Sequence, residues 1–427
     1  MKKIIIQFNE ANFSLIRKYT ENYDLKGFKK ILSQPLSITT KSEKEYKNLE
    51  PWIQWYSFYS QMDFNNHKVF HLGDCLKTNH KLFTESLAEN GLRVGIFGSM
   101  NLKPNKNYDI FIPDAWTESS SDNSLNSKIV TSMMKKIINT NTSLKISLKD
   151  IIGLIFLIGI PLRLSLIKMI FKAITSFIKR SRYELAALFD YFFINYSIRR
   201  SNKKKIDLNL TFLNGLAHVQ HHYMLSSEFV DGENPSWYMS SKVDPILSCL
   251  KIYDQLFNEI FTTYGKKFDI WIVTGLSQTY FTKPIVYWRF NDHKSIINHF
   301  LKFDYSLIPR MTRDFEIKIT NPSDMKFALE FFTESRVIIK DKELKAFDHI
   351  DQINENSLFV SFVYEGIDDN IILKYKNFQI NLKNKINFVA IKNGIHNQLG
   401  WAFSNAQIKN YDNQINIWDL PKKIISS

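Results

Sequence analysis

The stretch Ile4-Ile5-Ile6-Gln7-Phe8 is apolar save for one glutamine and stops at Asn9-Glu10. A run that is apolar on both of its alternating faces predicts a strand buried in the middle of a parallel sheet, ending in a polar loop. Residues 93–98 read the same way and follow a predicted helix over about 81–89 that stops at Asn90-Gly91. Two further strands are predicted over 207–213 and 268–274, each preceded by helix-like sequence. Strand, helix, strand in this order predicts an α/β fold, a mostly parallel sheet covered on both faces. Ligands of such sheets gather at the carboxyl ends of strands. Asn9, Asn214 and Gly275 all fall at such ends. Beyond about Lys302 the pattern changes to alternation, as in Phe315-Glu316-Ile317-Lys318-Ile319 and Ser357-Leu358-Phe359-Val360-Ser361-Phe362. That predicts an antiparallel edge or a small subdomain over about 300–385.

A different pattern interrupts the strands. Residues 151–162 carry no charge, and the apolar character continues through Leu166, Ile167, Met169 and Ile170. Cations follow: Lys179, Arg180, Arg182, Arg199, Arg200, Lys203, Lys204 and Lys205. A membrane-spanning helix needs roughly 20 apolar residues, which this run lacks before its first charge. The region 146–204 therefore reads as a basic helical insertion. It either packs as a cap or lies on an anionic bilayer surface as a peripheral contact, with a true span the weakest of the three readings. The remaining segments, 1–145 and 205–427, form a discontinuous core.

Composition changes the picture only in part. The chain has 427 residues, 44% of them apolar, enough for a large core and too many for a disordered chain. A net charge of +14 favours an anionic partner such as a phosphorylated or glycan substrate. With no recognisable nucleic-acid-binding motif, DNA and RNA are not expected partners. Cys75 and Cys249 are far apart and form no disulfide framework. The amino terminus, Met1-Lys2-Lys3 and then a strand, is too short for a secretion signal. These features place the protein in a reducing compartment, expected to be the cytoplasm, on the inner face of the membrane if the insertion touches it.

The candidate chemistry sits in four segments. Asn214-Gly215-Leu216-Ala217-His218 follows the strand that ends at Leu213, with His221 and His222 just beyond. Gly394-Ile395-His396-Asn397 follows a predicted strand over 387–390. Glu50-Pro51-Trp52-Ile53-Gln54-Trp55 opens a predicted helix that continues to Gln61, followed by His67. Trp271-Ile272-Val273-Thr274-Gly275-Leu276-Ser277-Gln278 ends the strand over 268–274. Three histidines within five residues after a strand exceed what helix capping or packing calls for.

In this order the segments resemble the alkaline-phosphatase superfamily, in particular its nucleotide pyrophosphatase/phosphodiesterase branch, and the wording of several stretches is similar to a subfamily linked to bacterial surface polysaccharides. The resemblance implies an alkaline-phosphatase-like three-layer αβα sandwich with a mostly parallel central sheet and a helical insertion. It also implies a divalent metal at Asn9, Asn214, His218 and His396, one Zn²⁺ or Mn²⁺, with the second metal site in doubt. Leu276 and Ser277 stand where the family has Asp-His. Asn9 and Asn214 stand where it has aspartates, and a neutral amide binds a divalent cation less well than a carboxylate. Pro51 occupies the place of the nucleophilic threonine, so Glu10 and Glu50 are the expected catalytic groups, as base or extra ligand. Gln54, Trp55, His67, His222 and Gln278 lie in the same segments and are expected to line the substrate cleft. The resemblance implies a phosphodiesterase or phosphohydrolase acting on a phosphodiester or sugar phosphate in cell-surface polysaccharide metabolism. Two alternatives stand beside it: an inactive relative that binds phosphorylated glycans or scaffolds a membrane-associated assembly, and a glycosyl- or polyol-phosphate transferase.

Overall fold

A computed structural model describes residues 2–139, 164–179, 181–310, 313–340, 342–408 and 412–427. The uncharged run 151–162 lies outside the described residues. The chain divides into two compact units, Met1–Thr282 with Gly394–Ser427, and Lys283–Asn393.

The first unit is built on an eight-stranded sheet. Its strands are β1 (Lys3–Phe8), β2 (Leu36–Lys41), β3 (Val94–Phe97), β4 (Ile110–Ile112), β5 (Leu208–Leu213) and β6 (Asp269–Val273), joined by Leu399–Ser404 and Gln414–Asn416. In space they run Gln414–Asn416, β2, Leu399–Ser404, β6, β1, β5, β3, β4. The five strands from β6 to β4 are all parallel, and Leu399–Ser404 runs antiparallel between β2 and β6. β1, predicted as a central strand, pairs on both sides, with β5 and with β6.

The pleat of β1 divides the core into two layers. Ile4, Ile6 and Phe8 join one cluster with the helices Phe13–Asn22, Lys26–Leu32, Arg182–Lys204 and Pro245–Tyr264. Ile5 faces the other way, among Trp55, Tyr56, Phe58 and Tyr59 of the helix Pro51–Ser60 and Phe83 of the helix Phe83–Glu89. This is the three-layer αβα arrangement expected from the sequence. The one polar residue of β1 is satisfied inside it: Gln7 donates to the Tyr59 hydroxyl at 2.7 Å and accepts from Ser99 at 2.8 Å. Such pairing matters because a buried amide left without partners costs about 1–3 kcal/mol.

The helix Gly215–Tyr223 starts directly after β5 and carries His218, His221 and His222. Its start is fixed by contact. A Cβ on Gly215 would lie 2.6 Å from both the Ala186 carbonyl oxygen and the Tyr253 hydroxyl, so only glycine lets the three helices meet. The Asp190 carboxylate, fully buried on Arg182–Lys204, accepts from the Gly215 backbone N–H at 2.7 Å and from the Tyr253 hydroxyl at 2.6 Å. The long helix Arg182–Lys204, read from the sequence as part of an insertion, is thus a support of the histidine helix.

Besides the helices His293–Ile297 and Met325–Glu334, the second unit contains two four-stranded antiparallel sheets. One contains Asp314–Ile319 and Ser357–Phe362, the two alternating stretches singled out in the sequence. A cluster of rings from Phe315, Phe331, Phe332, Phe347 and Phe362 fills its interior.

Burial pushes the Asp190 carboxyl up to about 7, against the hydrogen bonds from Tyr253 and Gly215. A folded-state pKa above that of the unfolded chain means that the folded form holds the proton longer. Its contribution is complete below about pH 4 and is lost as pH rises through about 7. The expected loss is up to ~4 kcal/mol. Asp190→Asn keeps an acceptor without the charge, so urea unfolding at pH 5 and pH 8 should show wild-type stability falling relative to this variant. A difference that does not move with pH would contradict the assignment.

Candidate metal centre

β1 ends by turning sharply. Asn9 N–H donates to the Leu213 carbonyl and Glu10 N–H to the Thr274 carbonyl, both at 3.0 Å, so the turn is pinned between the ends of β5 and β6. Glu10 adopts a left-handed backbone (φ 56°), which is rare for a residue with a side chain and is found where surrounding structure enforces it. The enforcement is visible. Gln220 donates to the Glu10 carbonyl oxygen at 2.8 Å and accepts from Asn12 N–H at 3.1 Å, while Asn12 caps the following helix and donates to the Gln278 carbonyl at 2.8 Å.

The Glu10 carboxylate, 3% exposed, is the hub of the site. Its Oε1 accepts from Asn9 Nδ2 at 2.9 Å. Its Oε2 lies 3.0 Å from His221 Nε2 and 3.3 Å from His396 Nε2, and accepts from Gln278 Nε2. On its far side His396 Nδ1 stands 3.6 Å from Glu50 Oε2. Burial alone would raise the pKa of Glu10. The charges of His221 and His396 and their hydrogen bonds outweigh it and hold the carboxyl well below the usual carboxylate range.

Glu10, His221 and His396 form a group of three whose ligand atoms lie within 4.8 Å of one another. The donor set suits a divalent cation: two imidazole nitrogens and a carboxylate are a common catalytic-zinc set that leaves a position open. The spacing suits it too. Two ligand atoms about 2.0–2.1 Å from a tetrahedral ion stand roughly 3.3 Å apart, close to the 3.0 and 3.3 Å seen about Glu10 Oε2.

The other expected site residues fall in distinct places. Asn9 and Asn214 meet, but through each other: Asn9 Nδ2 donates to Asn214 Oδ1 at 2.8 Å, and Asn9 Oδ1 accepts from Trp55 Nε1 at 2.7 Å. Asn9 alone forms an amide relay from Trp55 to Glu10. His218 stands half-buried one turn before His222, their rings 4.8 Å apart, and the group of three contains His221 in its stead. Tyr238 donates to the backbone oxygen of His222 at 3.1 Å. Trp55 and Gln54 are fully buried. Trp55 packs on Gly275, where a Cβ would come within 3.1 Å of the indole. Gln54 donates to the Asn48 carbonyl at 2.6 Å and accepts from Glu43 N–H at 3.2 Å, so both residues are bonded into the scaffold.

His67 is 2% exposed and pairs with Ser57 at 2.9 Å, superficially a base beside a hydroxyl. The hydrogen bonds assign otherwise. Val69 N–H donates to His67 Nδ1 at 3.0 Å, so the ring proton sits on Nε2 and points at Ser57. Ser57 in turn donates to the Ile53 carbonyl at 3.1 Å. Burial pushes the His67 pKa down to about 4, keeping the ring neutral. This histidine cannot take a proton from Ser57.

Sequence reasoning put His396 in a loop after a strand ending near Ala390, whereas the strand runs on without a break from Ile386 to Asn397. It also passed over Gln220, and it gave Gly394 no packing role of its own. A Cβ on Gly394 would lie 2.2 Å from Gln278 Oε1 and 3.0 Å from the Gln220 carbonyl. Glycine here lets the Gln278 amide enter under the strand and reach Glu10. The signal for His221 was present in the His-x-x-His-His spacing, but a helix of 3.6 residues per turn puts all three on neighbouring faces, and only the position of Glu10 selects among them.

No protein-family model matches the chain, and no curated protein matches it. Solved structures do. Phosphonoacetate hydrolase from Sinorhizobium meliloti 1021 in complex with phosphonoformate is 10% identical over 100% of this chain and 95% of that one, with a TM-score of 0.42. Murine ectonucleotide pyrophosphatase/phosphodiesterase 5 is 10% identical over 100% and 95%, with a TM-score of 0.44. Wild-type alkaline phosphatase PafA is 11% identical over 99% and 95%, with a TM-score of 0.45. All are alkaline-phosphatase-superfamily structures.

Replacing Gly394 by alanine should push Gln278 off Glu10 and lower stability by about 1–3 kcal/mol. Gln278→Ala should remove the clash, so that the double variant is more stable than the sum of the two single losses. Additive losses in a denaturant double-mutant cycle would show that the close approach is not real.

Proposed function

We propose that the protein is a single-metal phosphoester hydrolase in which Glu10, His221 and His396 hold the ion. The observation that carries this reading is the convergence of both imidazole Nε2 atoms on one buried carboxylate oxygen. A divalent ion between the three donors would supply, in place of protons on the two imidazoles, the positive charge that a buried carboxylate needs. When bound, the ion would offer Lewis acidity to a phosphoryl oxygen.

The chain's own residues define the rest of the chemistry. Pro51 begins the helix at the place where a nucleophilic side chain would be expected, and Ser57 is buried and bonded to Ile53. Neither of these positions offers a hydroxyl for a covalent intermediate, and in this reading water attacks directly. Glu50, its side chain 34% exposed, has one oxygen 3.6 Å from His396 Nδ1. It orients His396 so that Nε2 faces Glu10, and it is the group placed to accept a proton from the attacking water. The relay from Trp55 through Asn9 keeps the second oxygen of Glu10 occupied, so only one is offered to the ion. A phosphodiester or sugar phosphate fits the +14 chain as an anionic substrate. The wider setting in cell-surface polysaccharide metabolism belongs to this same reading.

Purified protein should contain about one Zn²⁺ or Mn²⁺ per chain by elemental mass spectrometry and hydrolyse bis(p-nitrophenyl) phosphate. Glu10→Ala, His221→Ala and His396→Ala should each lose the metal and the activity, while His218→Ala should retain the metal. Loss of metal in His218→Ala with retention in His221→Ala would overturn the assignment. Glu50→Gln should keep the metal and lower kcat by about 10²-fold. Unchanged turnover in that variant would remove Glu50 from the reaction.

A further inference from the structure

The helix Leu164–Ile178 presents an unusual surface. Its inner side, Leu166, Met169, Ala173 and Ser176, is buried against the core to which Arg182–Lys204 also belongs. Its outer side should be polar in a helix that faces water. Instead it carries Phe171 (65% exposed), Ile174 (36%) and Ile178 (72%), with Ile167, Ile170 and Phe177 half-buried alongside. At spacings of three and four residues these form one continuous apolar stripe along the helix.

The charges on this helix all have one sign. Lys168 near the start of the stripe and Lys179 just past the helix end are exposed, and the helix holds no acidic residue. Lys172 turns inward to Glu184 at 3.4 Å. No helix among the described residues is long and apolar enough to cross a membrane.

From this geometry we infer that the outer face of Leu164–Ile178 lies in the plane of an anionic lipid surface, the apolar stripe entering the acyl boundary and Lys168 and Lys179 meeting headgroup phosphates. Both elements are what an interfacial helix uses: buried apolar area and attraction to acidic lipid. A second copy of the chain is the poorer occupant. A two-fold contact through this stripe would bring the lysines of each copy together with no acid on the helix to receive them, between chains of +14 each. The inference is independent of the metal centre and does not depend on hydrolysis.

The test uses the full chain and sedimentation with vesicles of phosphatidylcholine, alone or with about 30% phosphatidylserine. Binding should appear with the acidic vesicles and fall as salt is raised. Phe171→Ser with Ile178→Ser, and separately Lys168→Glu with Lys179→Glu, should each weaken it by about tenfold or more. Because all four side chains are exposed, melting temperature should be unchanged, which a circular dichroism melt checks. Absence of binding to acidic vesicles, or binding that both double variants retain, would overturn the inference. So would a dimer in sedimentation velocity that the serine variant dissociates while vesicle binding stays as in wild type.

Discussion

Everything at the strand ends is organised by the need to keep one carboxylate, that of Glu10, charged in a place without water. A buried anion is tolerated only where hydrogen bonds and opposite charge surround it. Here Asn9, Gln278, His221 and His396 do so, drawn from β1, the strand after β6, the histidine helix and the Ile386–Asn397 strand. Four elements far apart in sequence are thereby fixed to one atom group. The same demand explains features that would otherwise look unrelated: the glycine at 394, the glutamine pair at 220 and 278, and the indole of Trp55 turned toward an asparagine.

Support for this arrangement extends through the core. The helix carrying His221 is held at its start by Asp190 and crossed closely at Gly215, so its register against β1 is set by packing well away from the histidines. Phe8, the last apolar residue before the turn, is enclosed by Tyr253 and Phe257, with ring centroids 4.8 and 5.2 Å away. The site is thus mounted on rigid elements, and its precision derives from strand ends that cannot shift without opening the core.

How much of this was legible in the chain depends on the distance over which each feature is encoded. The buried strands were, because a run such as Ile4 to Phe8 leaves no exposed face, and β1, β3, β5 and β6 appear within a residue of their expected ends. The strand-end position of Glu10 followed from the same pattern. The choice of His221 over His218 did not, since neighbouring helix positions differ by rotation and the partner that decides is two hundred residues away. Trp55 and Gln54 had the composition of a ligand wall, yet their roles depend on the Asn48 carbonyl and Asn9, contacts with no sequence signature. Gly394 is similar: its lack of a side chain matters only because Gln278 arrives there from another strand.

The left-handed turn at Glu10 has a further consequence. Holding a side-chain-bearing residue in that conformation costs about 1 kcal/mol that glycine would not incur, and glycine would also leave no charge to shelter. A chain selected for robustness alone would therefore drift toward losing its acid at this point. A glutamate in so awkward a backbone puts the chemistry of position 10 ahead of ease of folding.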